Sequence, residues 1–182
     1  MNDQDKCDII LEAAALLVQE GDVGALSFTD LSGAVDMPEA DVRRLFPKLE
    51  DLVSAVAERM YQAFLNRVSD ELDDDETPGA WTRAFIRASS SPEARKDFPK
   101  IGRVLLSTVA YRPELIDSIR AQQDEMLSAM RSDGLDPMRV YMIRAALEGV
   151  WMSAMFGVTL MPPDKADEFS DYLLSLTDPK DP

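Results

Sequence analysis

Between Ser27 and Leu49 the chain is punctuated so closely that only two short helices fit. Ser27, followed three residues later by Asp30, offers an oxygen to free helix N–H groups and an acid in the first turn. This predicts a helix over about Phe28 to Val35. Asp36 and Met37 leave room for a tight turn. Pro38 suits the first turn of a further helix, where its missing N–H would be unpaired anyway. That helix ends near Leu45, because Pro47 breaks the chain after Phe46. A long helix then runs from about Leu49 to Leu72, with Leu52, Val53, Val56, Met60, Ala63, Phe64 and Leu65 at the 3.6-residue period.

An earlier helix covers residues 8–20, where Ile9, Ile10, Ala13, Ala14, Leu16, Leu17 and Val18 recur at helical spacing before Gly21 and Gly24. Three short helices with a tight turn between the second and third, then a long helix, make a helix-turn-helix arrangement. Beyond it, the run 73–79 (DDDETPG) is the clearest break in the chain. A fifth helix is predicted over Ala80 to Ala88. The stretch SSSPEARKDFPK reads as a polar interruption with two prolines, and 100–110 as a buried helix. Pro113 opens another helix, to about Arg131. In the turn SDGLDP, Asp136 is the expected N-cap and Pro137 the first helical residue. An apolar eighth helix reaches about Leu160, and a last one spans about Asp164 to Leu176. The expected fold is all-α with about nine helices. Residues 1–47 form the helix-turn-helix domain and 48–182 a larger helical domain.

The composition narrows function. The chain has no histidine and one cysteine, Cys7. That removes histidine-dependent triads, internal disulfides and cysteine zinc clusters. No phosphate-binding glycine loop is present. No catalytic residue, cofactor or metal is expected, and an enzyme is disfavoured. No apolar run approaches the length of a membrane span, and the N-terminus is acidic where a signal peptide is basic. A cytoplasmic location with no membrane partner is expected. Cys7 reads as an inert, half-buried residue of the first helix. The net charge is -15. Residues 1–60 hold thirteen acids against five bases, a net of -8.

The residues around the turn carry a family resemblance. Ile9 to Val18 resembles the first helix of tetracycline-repressor-type (TetR) regulators. Ser27, Asp30 and Leu31 resemble their capped second helix. Val42, Phe46, Pro47, Lys48, Glu50 and Leu52, in VRRLFPKLEDL, resemble the passage that follows. The likeness is specific over about residues 7–60 and weaker beyond, where 146–157 resembles the family's dimer-helix segment. It implies a homodimer that binds double-stranded DNA through its N-terminal domains. A small hydrophobic effector bound by the larger domain would move the two heads apart, so that they no longer fit successive major grooves.

The sequence departs from the family pattern at Asp36, where glycine is usual, and at Pro38, Glu39, Ala40 and Asp41, which open the reading helix. Arg43 stands where tyrosine is usual. Carboxylates facing phosphates repel them and can only accept hydrogen bonds. The candidate DNA-binding residues are Ser27, Thr29, Pro38, Glu39, Asp41, Arg43, Arg44 and Lys48. For Arg43 and Arg44 the alternative is pairing with Glu39 or Asp41 on the surface. The alternative for the whole head is a degenerate acidic reader that acts on a protein partner. Phe46 reads as core.

Trp81, Phe85, Met126, Met130, Met142, Trp151 and Met155 are candidate ligand-pocket residues, with Met152 and Phe156 in the same set, because methionine and aromatic walls suit greasy ligands. Most such residues in a helical domain are simply core, and core packing outweighs the pocket reading for each. Arg87, Arg103 or Arg144 would pair with an acidic ligand group, and nothing in the sequence selects among them. Ala146, Gly149, Val150, Ser153, Ala154 and Gly157 are spaced for close helix approach, as a dimer interface or as packing within one subunit.

Overall fold

The computed structural model describes residues 2–20, 26–111 and 115–178, with side chains described except at 18–20, 101, 103–111, 115 and 118. Gly21, Gly24 and Pro113 lie outside these residues. The described residues are all-helical: α1 (Asp3–Glu20), α2 (Phe28–Val35), α3 (Glu39–Leu45), α4 (Leu49–Leu72), α5 (Ala80–Ser90), α6 (Pro92–Tyr111), α7 (Leu115–Arg131), α8 (Pro137–Met155) and α9 (Ala166–Ser175), with a 3-10 turn at Pro163–Lys165. No helix among them is long and apolar enough to cross a membrane.

Packing divides the chain into two compact units, Met1–Gln62 with Lys100–Glu114 and Ala63–Pro99 with Leu115–Pro182. A boundary at 47/48 would give all of α4 to the second domain. The structure gives its first half to the first unit, because Leu52, Val53 and Val56 fill the same core as Ile10, Ala14, Phe28, Leu31 and Val42.

In the second unit α5 is buried around most of its circumference and packs against α7, α8 and α9. Its first N–H groups are satisfied from the turn between α7 and α8. The Asp133 carboxylate accepts from the backbone N–H of Trp81 (3.2 Å) and Thr82 (2.7 Å). The Asp133 carbonyl accepts from Gly79 N–H at 2.7 Å. Asp136 caps α8 as expected, accepting from Met138 and Arg139 N–H at 3.0 and 3.3 Å, with Pro137 at the start of the helix.

Three predicted bounds are corrected. The first helix starts at Asp3 rather than 8. Asn2 and Asp5 cap it reciprocally, each side chain accepting the other's backbone N–H at 2.8 and 2.9 Å. The expected polar interruption at 89–100 is helical instead, completing α5 and opening α6. Ser91 accepts from Ala94 N–H at 3.1 Å, Pro92 opens α6, and Pro99 lies inside it. An interior proline costs about 3 kcal/mol, but its neighbour Phe98 packs into the aromatic cluster described below, which offsets that cost.

The third correction is the end of α8, at Met155 rather than Leu160. Gly157 adopts φ +71. Its N–H bonds to Ala154 O (3.0 Å), and Val158 N–H to Ser153 O (2.9 Å). This pair of bonds is a left-handed helix stop. A Cβ on Gly157 would meet nothing within 4 Å. The cost of Gly157→Ala is therefore backbone strain alone, and urea unfolding should show a loss of about 1 kcal/mol. An unchanged midpoint would mean that the stop is not held in solution.

Candidate functional site

The first unit presents its polar groups around α2 and α3. Ser27 accepts from Asp30 N–H at 3.1 Å, and its hydroxyl donates to the Asp30 carboxylate. The turn residue Asp36 is left-handed, φ 48, a conformation aspartate tolerates better than most residues. Ser32 secures the turn by donating to Met37 O at 2.6 Å. Val42 anchors α3 with none of its surface exposed, which leaves Ala40, Arg43 and Arg44 pointing outward.

The arginines of this surface are already engaged. Arg43 Nε donates to Glu39 Oε1 at 2.7 Å, and its guanidinium lies 4.0 Å from the centroid of the Phe28 ring. Glu39 Oε2 accepts from the Thr29 hydroxyl at 3.1 Å. These two bonds, the Arg43 one first, hold the Glu39 carboxyl below the usual range. Arg44 forks onto Asp3 of α1 with bonds of 2.9 and 2.8 Å. That pair lowers the pKa of Asp3 and raises that of Arg44. Arg59 lies 3.7 Å from Asp8. The pairing anticipated for Arg43 is present, whereas Arg44 pairs with Asp3 of α1 rather than with Glu39 or Asp41. A 41-residue separation hides that contact from sequence periodicity. Pro38 and Lys48 are exposed, and Asp41 is half-buried.

The second unit contains a cavity of about 350 Å³. Its walls include Ser89 of α5, Arg95 of α6, Val150, Trp151 and Ala154 of α8, and Phe169 of α9, and the largely exposed 157–163 segment borders its mouth. Trp151 also belongs to an aromatic cluster, 4.7 Å from Phe98, 6.1 Å from Phe85 and 6.4 Å from Phe64 between ring centroids. Trp81 stacks on Phe85 at 5.5 Å.

Residues 79–178, more than half of the chain, match the family described as "Tetracyclin repressor-like, C-terminal domain". The chain belongs to the TetR family. The match covers the part where the likeness read from motifs was the weaker one. No curated protein matches the sequence. Among solved structures, a TetR-family member from Streptomyces coelicolor A3 (SCO1917) aligns with a TM-score of 0.69 at 20% identity, over 94% of this chain and 98% of its own. The multidrug binding protein EbrR complexed with ethidium aligns at 0.66 and 20%, over 93% and 96%. The ketosteroid transcriptional regulator KstR2 of Mycobacterium tuberculosis aligns at 0.59 and 19%, over 94% and 93%. At these identities the likeness shows the TetR fold. The family is one of transcriptional regulators, not enzymes.

Within this TetR fold the candidate pocket residues separate. Trp151 lines the cavity. Phe85, Met126 and Met130 are core side chains with 0%, 4% and 0% exposure and do not line it. Trp81 and Met155 are half-buried and also outside its walls, and Met142 is exposed. An apolar side chain at helical spacing reports an inward face, and only packing decides whether that face meets a neighbour or a void. Arg144 is buried against Glu148, and its guanidinium is 5.2 Å from the Phe85 centroid. Arg87 is exposed, and the Arg103 side chain lies outside the described residues. Sequence reasoning missed Ser89 and Arg95, because both fall in the stretch read as an interruption. Continuing helical spacing through Pro99 was the signal that would have found them.

The small-residue set of α8 also divides. Val150, Ala154 and Gly157 line the cavity rather than an outward face. Gly149 faces open space, since a Cβ there would meet nothing within 4 Å. Ala146 and Ser153 flank it at helical spacing and are half-buried. The same outward face carries Met138, Met142, Met152 and Phe156, all exposed.

Proposed function

We propose that this TetR-family protein is a homodimeric transcriptional regulator that binds operator DNA and is released by a small effector held in the second unit. The observation that carries the DNA half is the α2–turn–α3 unit, whose outward face offers Thr29, Arg43, Arg44 and Lys48 beside Pro38, Glu39 and Asp41. Ser27 supports this face as the α2 cap rather than as a contact. The head is acidic, so phosphate contact requires the arginines to exchange Asp3 and Glu39 for DNA. Binding is then weak and steeply salt-dependent. The dimer half rests on the outward apolar face of α8, where Gly149 allows close approach and the methionines and Phe156 supply the apolar area. The effector half rests on the 350 Å³ cavity.

The full chain, offered a pool of random duplexes at low salt, should enrich a two-fold symmetric site with half-sites about one helical turn apart. A pool that stays unenriched rules out direct operator reading and favours the alternative, a head that acts on a protein partner. Asp3→Asn removes the acid that holds Arg44 and should strengthen operator binding about five- to tenfold near 0.1 M salt, with a salt slope steeper by about one ion per head. Unchanged or weaker binding of this variant would place Arg44 outside the DNA contact.

A further inference from the structure

The cavity of the second unit has few polar groups in its wall, and two of them stand out. Ser89 is 1% exposed and lines the wall, and its hydroxyl oxygen finds no hydrogen-bond partner among the described residues. A buried hydroxyl in that condition is costly unless something else completes it. Among the described residues that line the wall, Arg95 is the one charged side chain and none is a carboxylate. Arg95 donates to Ser90 O at 2.6 Å and pairs with Asp167, whose side chain is 86% exposed. The carboxylate that pairs with Arg95 is therefore turned to solvent. The rest of the wall is mainly apolar, with Trp151 and Phe169 as aromatic faces and Ser90, Thr159 and Ser170 as further polar residues.

We infer that the effector is a compact, uncharged or anionic apolar molecule carrying one oxygen that hydrogen-bonds to Ser89, and that cationic aromatic compounds are rejected. This deepens the effector half of the proposed function and rests on it. A cation entering the cavity would find no carboxylate among the described wall residues to replace its hydration. An oxygen-bearing ligand completes the Ser89 hydroxyl, and an anionic one gains Arg95 as well.

Three probes with one bicyclic body test this: 2-naphthol, 2-naphthoate and 2-naphthylmethylammonium, titrated calorimetrically into the full chain without DNA. Naphthol and naphthoate should bind, and the ammonium at least about tenfold more weakly. The chain's net charge of -15 attracts cations at long range, so such a preference reports the cavity itself. Ser89→Ala should weaken naphthol about five- to tenfold while leaving the melting temperature of the free protein unchanged or a few degrees higher, because the unpartnered hydroxyl is gone. Ala154→Phe, which fills the cavity, should abolish binding of both ligands. Equal or tighter binding of the ammonium, naphthol affinity untouched by Ser89→Ala, binding that survives Ala154→Phe, or no binding by any probe each overturns the inference. Because no DNA is present, such a failure leaves operator binding standing, and a failed operator selection leaves this result standing.

Discussion

Met142→Asp combined with Met152→Asp should break the proposed dimer and leave the protein monomeric. The two side chains are 56% and 47% exposed, so neither substitution disturbs the core of the subunit. In a two-fold dimer built on this face of α8, both residues are buried twice. Losing about 1–1.5 kcal/mol at each of four positions, before the desolvation of the new carboxylates, amounts to about 4–6 kcal/mol. That is at least about a thousandfold in the dimer dissociation constant. Sedimentation equilibrium across micromolar concentrations reads it directly. Operator affinity should fall in parallel, since each head would then bind its half-site alone. A double variant that sediments as a dimer would move the interface off this face.

The second large effect is on stability. Phe85 has no exposed surface and is the hub of the second unit. It packs edge-on to Phe64 at 5.6 Å, under Trp81 at 5.5 Å, beside Trp151 at 6.1 Å, and beneath the Arg144 guanidinium at 5.2 Å. Phe85→Ala removes the ring from all four and leaves a cavity that surrounding aromatic rings cannot easily close. The expected loss is about 3–5 kcal/mol in urea unfolding. Phe85→Leu keeps most of the volume and should lose less than half as much. A Phe85→Ala loss below about 1 kcal/mol would show that the cluster is loosely packed in solution.

These two predictions concern residues that the sequence presented alike. Phe85 and Met142 both sit at apolar helical positions, and both were candidate pocket walls. One is the centre of a core and the other is exposed. Hydrophobic spacing identifies a helix face, but the partner of that face is chosen by helices distant in sequence. For α5 those partners are α7, α8 and α9. Helix α8 is the extreme case, since its apolar residues favour no single face. Its small residues pointed to close approach. Packing sent Val150 and Ala154 to the cavity and left Gly149 outside.

Local chemistry was legible from the sequence wherever cause and effect lie within a few residues. The Ser27 and Asp136 caps, the turn at Asp36 and the stop after Phe46 each follow from a side chain acting on its own backbone. The all-helical fold and the helix-turn-helix order follow from them. Where a local signal was misread, as at Pro99, an expected cost was taken as decisive although α6 runs through the proline and places Phe98 in the aromatic cluster.

The short helices between Ser27 and Leu49 were thus fixed by sequence, because caps and prolines act over one turn of chain. What their surface can do was decided by tertiary structure. Arg44 is tied to Asp3 across 41 residues, and Ser89 meets Arg95 around a cavity whose walls come from four helices and a connecting segment. Charge pairing and void formation depend on distances between elements, and no local pattern encodes those distances.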